Sequence, residues 1–366
     1  MNILLLILFF SAISPCRAHA QEPIDYDTDI FHLDSMRQGL NPEEQEIGGA
    51  LTGTESYDVQ GAMERLFEDL KRKALEELRS NLHFASTLMG LTFLGGFACA
   101  LCEEGKIRAL LEIIVCGVTA SVLTGSMDSL IRQTMEAIYR LSDYSKAALP
   151  VVFTAAAASG AAASAASRYA AVTLALDVLM STAQRCILPL INSYIALTLA
   201  GALFPNSMLK AVSRFVRWAA GILLTGTSIV FSAYIGLTGA ISGAVNTAAV
   251  KATKTLISTA LPVVGGMISD VSGMVLSAAG IVRTCAGAFG LIAVCAICLG
   301  PFVLLTVKML LFKAVSTLAE AVPCGRLSAL FTGVADAAAM LMGLLGSCSI
   351  MLFLSFTLAM KAVTIG

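Results

Sequence analysis

An all-α, polytopic membrane protein is the fold class this chain predicts. Three observations carry that prediction: scarce charge, apolar stretches of membrane-crossing length, and the small residues within them. Only 13% of the 366 residues are charged and 57% are hydrophobic, with a mean hydropathy of +0.81. Soluble domains carry about 25% charged residues, and a chain this poor in charge could not cover its own surface in water. The bilayer is the solvent that fits, and there a helix satisfies its own backbone. Six clear apolar stretches, 85–102, 109–127, 186–204, 218–237, 284–307 and 335–358, approach the roughly 20 residues needed to cross the hydrocarbon core. Gly, Ala and Ser recur in them, as where helices pack closely in lipid. The net charge of −1 offers no basic field for nucleic acid.

Residues 3–13 form an apolar run followed by Ala18-His19-Ala20, the pattern of a signal peptide cleaved after Ala20. Pro15 in front of Cys16 argues against a lipoprotein box. Residues 21–84 are then extracytoplasmic. Their first part is acidic (Asp25, Asp27, Asp29, Glu43, Glu44, Glu46) and buries little. From Gln60 to Leu82 the pattern is helical, with Met63, Leu66, Leu70, Ala74, Leu78 and Leu82 on one face. Glu68 with Arg72 and Asp69 with Lys73 are favourable pairs on the other. This predicts an amphipathic helix lying on the membrane or on a neighbour. The multi-pass domain follows, over 85–366.

Loop charges give the orientation. The 205–217 loop has Lys210, Arg214 and Arg217 with no acid, and 308–326 has Lys308, Lys313 and Arg326 against Glu320. Both read as cytoplasmic by the positive-inside rule. Starting outside, 85–102 runs inward and 109–127 outward. The 149–204 block must then cross an odd number of times, as one span with a re-entrant hairpin or as three short spans. Segments 149–183 and 261–282 are apolar but rich in small residues and broken by Pro and Gly, so the count lies between five and nine.

An internal repeat is visible. Leu149-Pro150-Val151-Val152 recurs as Leu261-Pro262-Val263-Val264, each followed by Ser-Gly and then Ser-Ala-Ala. Pro189 matches Pro301, Lys210-Ala211-Val212-Ser213 matches Lys313-Ala314-Val315-Ser316, and Thr124-Gly125 matches Thr238-Gly239. This order predicts two parallel units, about 107–216 and 217–326, with 335–358 beginning a third. Each unit would hold an amphipathic stretch, a Leu-Pro-Val-Val turn, a small-residue segment and a Pro-bearing span. Proline frees a backbone carbonyl, which lipid tolerates only beside protein or a water-filled cavity. Pro150, Pro189, Pro262, Pro301, Gly265, Gly266 and Asp270 are therefore the candidate structural or lumen-facing positions.

Six charges fall within or beside apolar stretches: Glu112, Asp177, Arg185, Asp270, Arg283 and Asp336. A central Asp or Arg costs about 2.5–3.5 kcal/mol to insert, so each seeks water or a partner. A buried pair or polar pathway is one reading; interfacial placement is the other, favoured for Arg185, Arg283 and Asp336. Most of the ten cysteines, including the Cys99/Cys102 and Cys295/Cys298 pairs, sit in apolar stretches and read as small packing residues. All three histidines precede the membrane region, so no His-based metal site can form there. No His-Glu-x-x-His, Gly-x-Gly-Asp, Gly-x-Ser-x-Gly or P-loop stands in the chain. No catalytic, cofactor or metal residue is assigned.

Residues 244–294 hold Ala244-Val245-Asn246-Thr247, Lys251, Lys254, then Pro262-Val263-Val264-Gly265-Gly266-Met267-Ile268-Ser269-Asp270 and a Gly-rich run to Gly290. This stretch resembles the stage III sporulation protein AE family of endospore-forming bacteria. The plan of the chain agrees, and the Ala-rich 155–166 stretch departs from it. The resemblance implies a non-enzymatic subunit in the mother-cell membrane around the forespore. Its implied partners are an ATPase-like protein and ring-forming proteins of the same operon, and a forespore-side channel protein. The implied assembly is a secretion-like channel, compatible with a homo-oligomer. The alternative is a stand-alone secondary transporter, motivated by the repeat, the broken-helix candidates and Asp270.

Overall fold

The computed structural model of the chain describes residues 40, 59–102, 106–158, 162–204, 206–260, 265–322 and 324–361, with side-chain detail ending at 234 and resuming at 286. The expected signal peptide and, Leu40 apart, the acidic 21–58 segment lie outside the described residues.

Seven α-helices account for nearly everything described: α1 (Val59–Leu101), α2 (Lys106–Ala156), α3 (Ala162–Thr182), α4 (Leu188–Leu203), α5 (Ser207–Ala260), α6 (Gly265–Glu320) and α7 (Gly325–Lys361). A π-helical segment, Ala183–Ile187, joins α3 to α4 with helical backbone on both sides, making one rod. Its place has a cause. In a regular α-helix the Pro189 ring would strike the Arg185 carbonyl, and the wider π turn immediately before relieves that clash. Among the described residues, six helical rods are long and apolar enough to cross a membrane. The 149–204 block contributes a single pass after α2, so neither a re-entrant hairpin nor three short spans is found there.

The rods run up and down. Arg326 meets Glu112, Gly96 meets Val322, Gly117 meets Leu203, and Gly333 meets Thr198. These contacts gather the turns after α1, α4 and α6 at one end of the bundle, the turn end. Helix α7 is the hub, touching α2, α3, α4, α5 and α6, while α1 packs outside on α2 and α6. The α6–α7 hairpin keeps one antiparallel register along its length. Ser316 and Thr332 hydroxyls bond at 2.7 Å, Thr306 donates to the Met342 sulfur at 3.4 Å, and Cys298 meets Ser349 at 2.9 Å. Farther on, Gly290 and Gly287 receive the side chains of Phe356 and Met360.

The apolar stretches are staggered between rods. Phe84 of α1 lies edge-on to Phe312 at 6.4 Å and under the Lys308 ammonium at 4.0 Å. That register sets the apolar 284–307 stretch beside the charged first half of α1, not beside 85–102. Likewise Tyr144 of α2 lies 6.3 Å from Phe356, so the apolar part of α7 runs beside the charged 128–146 segment. The reason is burial: 67% of the apolar window of α6 and 61% of that of α7 are buried, against 11% for α5. A helix apolar all round can be enclosed by protein as well as by lipid.

Three expectations need correction. Residues 60–82 are not a separate surface helix, because α1 runs unbroken into the 85–102 stretch. Its inward face there is Ala85, Leu88, Thr92 and Cys99. The same face carried back one turn at a time reaches Asn81, Glu77 and Asp69. The two apolar stripes are out of phase, and the packed one sets the rotation. So Asp69 and Asn81 are buried, while Leu75, Leu78 and Leu82 are exposed. Asp69 is matched by Lys73 at 2.9 Å, as predicted, and also by Arg72 at 2.6 Å. Secondly, Leu149–Val152 is helix, not a turn; the chain reverses later, between α2 and α3. Pro150 deprives the Lys146 carbonyl, one turn earlier, of its amide donor, yet the helix continues through it. Thirdly, Lys210–Ser213 follows a turn on α5, whereas Lys313–Ser316 precedes a turn on α6, so these motif copies fall on opposite sides of a reversal.

A Cβ on Gly290 would lie 2.6 Å from Cε1 of Phe356. Gly290→Val is expected to destabilise the detergent-solubilised protein by about 1–3 kcal/mol through overpacking. Phe356→Leu added to it should recover much of the loss. Thermal unfolding of the single and double variants checks this; equal losses from both would break the assigned α6–α7 register.

Candidate functional site

The charges predicted at membrane depth divide into two groups. Asp177 and Arg185 are exposed on the α3–α4 rod. Glu112 and Asp336 instead bridge helices. The Glu112 carboxylate forms an ion pair with Arg326, Nε at 3.3 Å, and faces Arg108 Nε at 3.8 Å, tying α2 to the start of α7. Asp336 pairs with Arg217 Nη1, tying α7 to α5. Tyr194 of α4 lies beside this pair. Hub helix α7 is thus fastened to two different neighbours toward the turn end.

Local sequence makes this approach possible. Successive glycines at 95 and 96 face different neighbours, Val115 of α2 and Val322 after α6, and a Cβ at either would collide. Beneath the Glu112–Arg326 pair lie buried Cys99, Cys116 and Cys324. Burial, the larger cause, together with the neighbouring Cys99 thiol pushes the Cys324 thiol well above its ordinary range.

This is fastening chemistry. Both bridging carboxylates are neutralised by arginines, and the buried thiol stays protonated, so the cluster offers neither a free base nor a thiolate nucleophile. Among the described residues no group of three His, Cys, Asp or Glu could hold a metal ion. Cys295 and Cys298 are buried inside the α6–α7 hairpin.

The candidate positions are dispersed. Pro150 is half-buried on α2, Pro301 half-buried on α6, and Pro189 exposed on α4, with the Ser193 hydroxyl donating to its carbonyl at 2.8 Å. Gly265, Gly266 and Asp270 lie in the helical backbone at the start of α6. Pro262 and the side chains of Asp270 and Arg283 lie outside the described residues. Sequence reasoning took Arg217 and Arg326 only as loop cations. The missed signal is that each stands within a few turns of a reversal, level with a carboxylate on a neighbouring rod.

Residues 47–363 match the stage III sporulation protein AE family. The chain belongs to that family. No curated protein and no solved structure matches it. In this stage III sporulation protein AE family member the matched region takes in every helix from α1 to α7, and with them both fastening pairs. The 244–294 segment that carried the resemblance runs from the end of α5 into α6.

Reversing one partner of the half-buried pair leaves like charges facing each other. Arg326→Glu is expected to cost about 1–3 kcal/mol, and Glu112→Arg combined with it should restore most of that; thermal unfolding in detergent reads both. For Cys324, the folded protein holds the thiol proton more tightly than the unfolded chain does. The stability this contributes is complete below the ordinary thiol range near pH 9 and drains away as pH rises toward about 12. Maleimide labelling of Cys324 should accordingly trail that of exposed Cys186 and climb about tenfold per pH unit between pH 8 and 10. A plateau below pH 10 would contradict it.

Proposed function

We propose that this chain is a non-enzymatic integral membrane subunit of the secretion-like channel complex between mother cell and forespore, required for endospore formation. The observation that carries the proposal is family membership across 47–363 together with six rods of membrane-crossing length. The absence of a convergent nucleophile and base among the described residues is compatible with a non-catalytic role.

The orientation follows from charge. Lys106, Arg108, Lys210, Arg214, Arg217, Lys313 and Arg326 cluster toward the turn end, which the positive-inside rule assigns to the mother-cell cytoplasm. The N-terminal region then faces the space between the two membranes. At 1.5 Å per residue α2 is about 77 Å long and α6 about 84 Å, against a hydrocarbon core of roughly 30 Å. The surplus length on the far side is where a forespore-side channel protein would be met. The cytoplasmic turns are where an ATPase-like partner would dock, and ring-forming partners of the same operon would surround the projecting part.

Deleting the gene should arrest spore formation after engulfment, with complementation restoring it. Normal heat-resistant spore counts from the deletion strain would refute the proposal. Arrest unaccompanied by loss of the partner proteins from the forespore-surrounding membrane would separate a role in the channel from one in assembling it.

A further inference from the structure

The most open face of the bundle belongs to α5, whose apolar window is almost unburied. Along it Lys210, Arg214, Arg217, Trp218, Gly221 and Thr225 recur every three or four residues and so share one side. A shallow groove of about 510 Å³ lies there, lined by Arg214, Arg217, Trp218, Gly221, Ile222 and Thr225. Its two ends differ in chemistry. Toward the turn end Lys210 and Arg214 are exposed, and Arg214 has no ion-pair partner among the described residues. Arg217 is shared with Asp336. Away from it the floor is Gly221, flanked by Ile222, which is 51% exposed. Trp218 stands between the two ends, 60% exposed, with Phe215 against it at 5.7 Å.

Cations, then an interfacial tryptophan, then an apolar trough is the order of groups along a phospholipid read from phosphate to acyl chain. Arginine forks match phosphate oxygens. Tryptophan settles at headgroup depth, and basic pockets beside membrane helices take anionic headgroups. A free anion would use the cations and leave the trough idle. A second copy of the same face would set cation against cation, since Asp336 is the one carboxylate paired there and Arg217 already holds it. We propose that this groove binds an anionic phospholipid, its phosphate on Arg214, Lys210 and Arg217 and its acyl chain along Gly221, Ile222 and Thr225.

Trp218 is the chain's sole tryptophan, so its fluorescence reports this groove alone. The full-length protein is placed in phosphatidylcholine vesicles containing equal mole fractions of dibrominated phosphatidylglycerol or dibrominated phosphatidylcholine. Brominated phosphatidylglycerol should quench more strongly. Arg214→Gln and Lys210→Gln should each lower its relative association by about five-fold, while Arg214→Lys retains most of it. Equal quenching by the two lipids overturns the proposal, as does a preference indifferent to both glutamine substitutions. Protection of Trp218 from both lipids also overturns it, pointing to a second copy over the face. If millimolar inorganic phosphate abolishes the preference, the cations read a free anion and the lipid site is refuted.

Discussion

The antiparallel contact between α6 and α7 is the constraint on which the rest of this bundle depends. It is closed by small residues: Gly287 and Gly290 admit Met360 and Phe356, and Cys298, Ser316, Ser349 and Thr332 place short polar groups between the backbones. In lipid, apolar side chains gain little by exchanging tail contacts for one another. Close approach and interhelical hydrogen bonds therefore supply the drive. Once the pair has formed, α7 presents a nearly complete apolar circumference. Phe331, Leu341, Leu345, Leu352 and Phe356 are all fully buried, and α2, α3, α4 and α5 pack around them. Toward the turn end two arginine–carboxylate pairs fix how far each neighbour may slide along the hub.

That central position explains why hydropathy misaligns the rods. Sequence windows place 284–307 and 335–358 as spans because nothing charged interrupts them. Yet their neighbours at the same height, the first half of α1 and the 128–146 part of α2, carry alternating charges. A side chain enclosed by other helices is under the same selection against charge as one facing lipid, so composition alone cannot separate the two. Lipid contact is better read from what remains exposed. Phe93, Leu94 and Phe97 on α1, Ile107, Leu110 and Ile114 on α2, and Phe215, Trp218, Ile222, Ile229 and Val230 on α5 mark it.

The helical class, the six apolar rods and the family were legible in the sequence because each rests on a cumulative signal, repeated over many residues. Features that failed rest on a single local rule. Pro150 marks a turn by composition, but a proline tolerated inside a helix leaves no different trace in sequence. The stripe Leu70, Leu78, Leu82 predicts a buried face, but a helix has one rotation. In α1 the better-packed Leu88–Cys99 half decides it. The fastening pairs were half legible. Glu112 stood out as a charge needing a partner, Asp336 read as interfacial although it bridges helices, and Arg217 and Arg326 lie far away in the chain, so only the fold brings them near. The lipid-facing groove was invisible, since lysine and arginine near a loop satisfy orientation whether or not they also hold a phosphate.

The filled axis has a consequence for how a channel could use this chain. Phe312, Phe331, Phe356 and Tyr144 close the centre of the bundle, and the carboxylates nearest it are held by arginines. Among the described residues this core offers a solute no polar route, and opening one there would mean breaking the hub contact on which the fold rests. A passage built with this protein would therefore run between chains, along faces that the single copy leaves open. On α5 the outer face bears cations and an apolar trough, better suited to lipid than to water. The far part of α2 is different: Asp128, Arg132, Asp143 and Lys146 lie exposed there, paired within their own helix. Of the two, the α2 surface is the one whose chemistry suits the wall of an aqueous passage, and α5 the one that suits the bilayer side of the same wall.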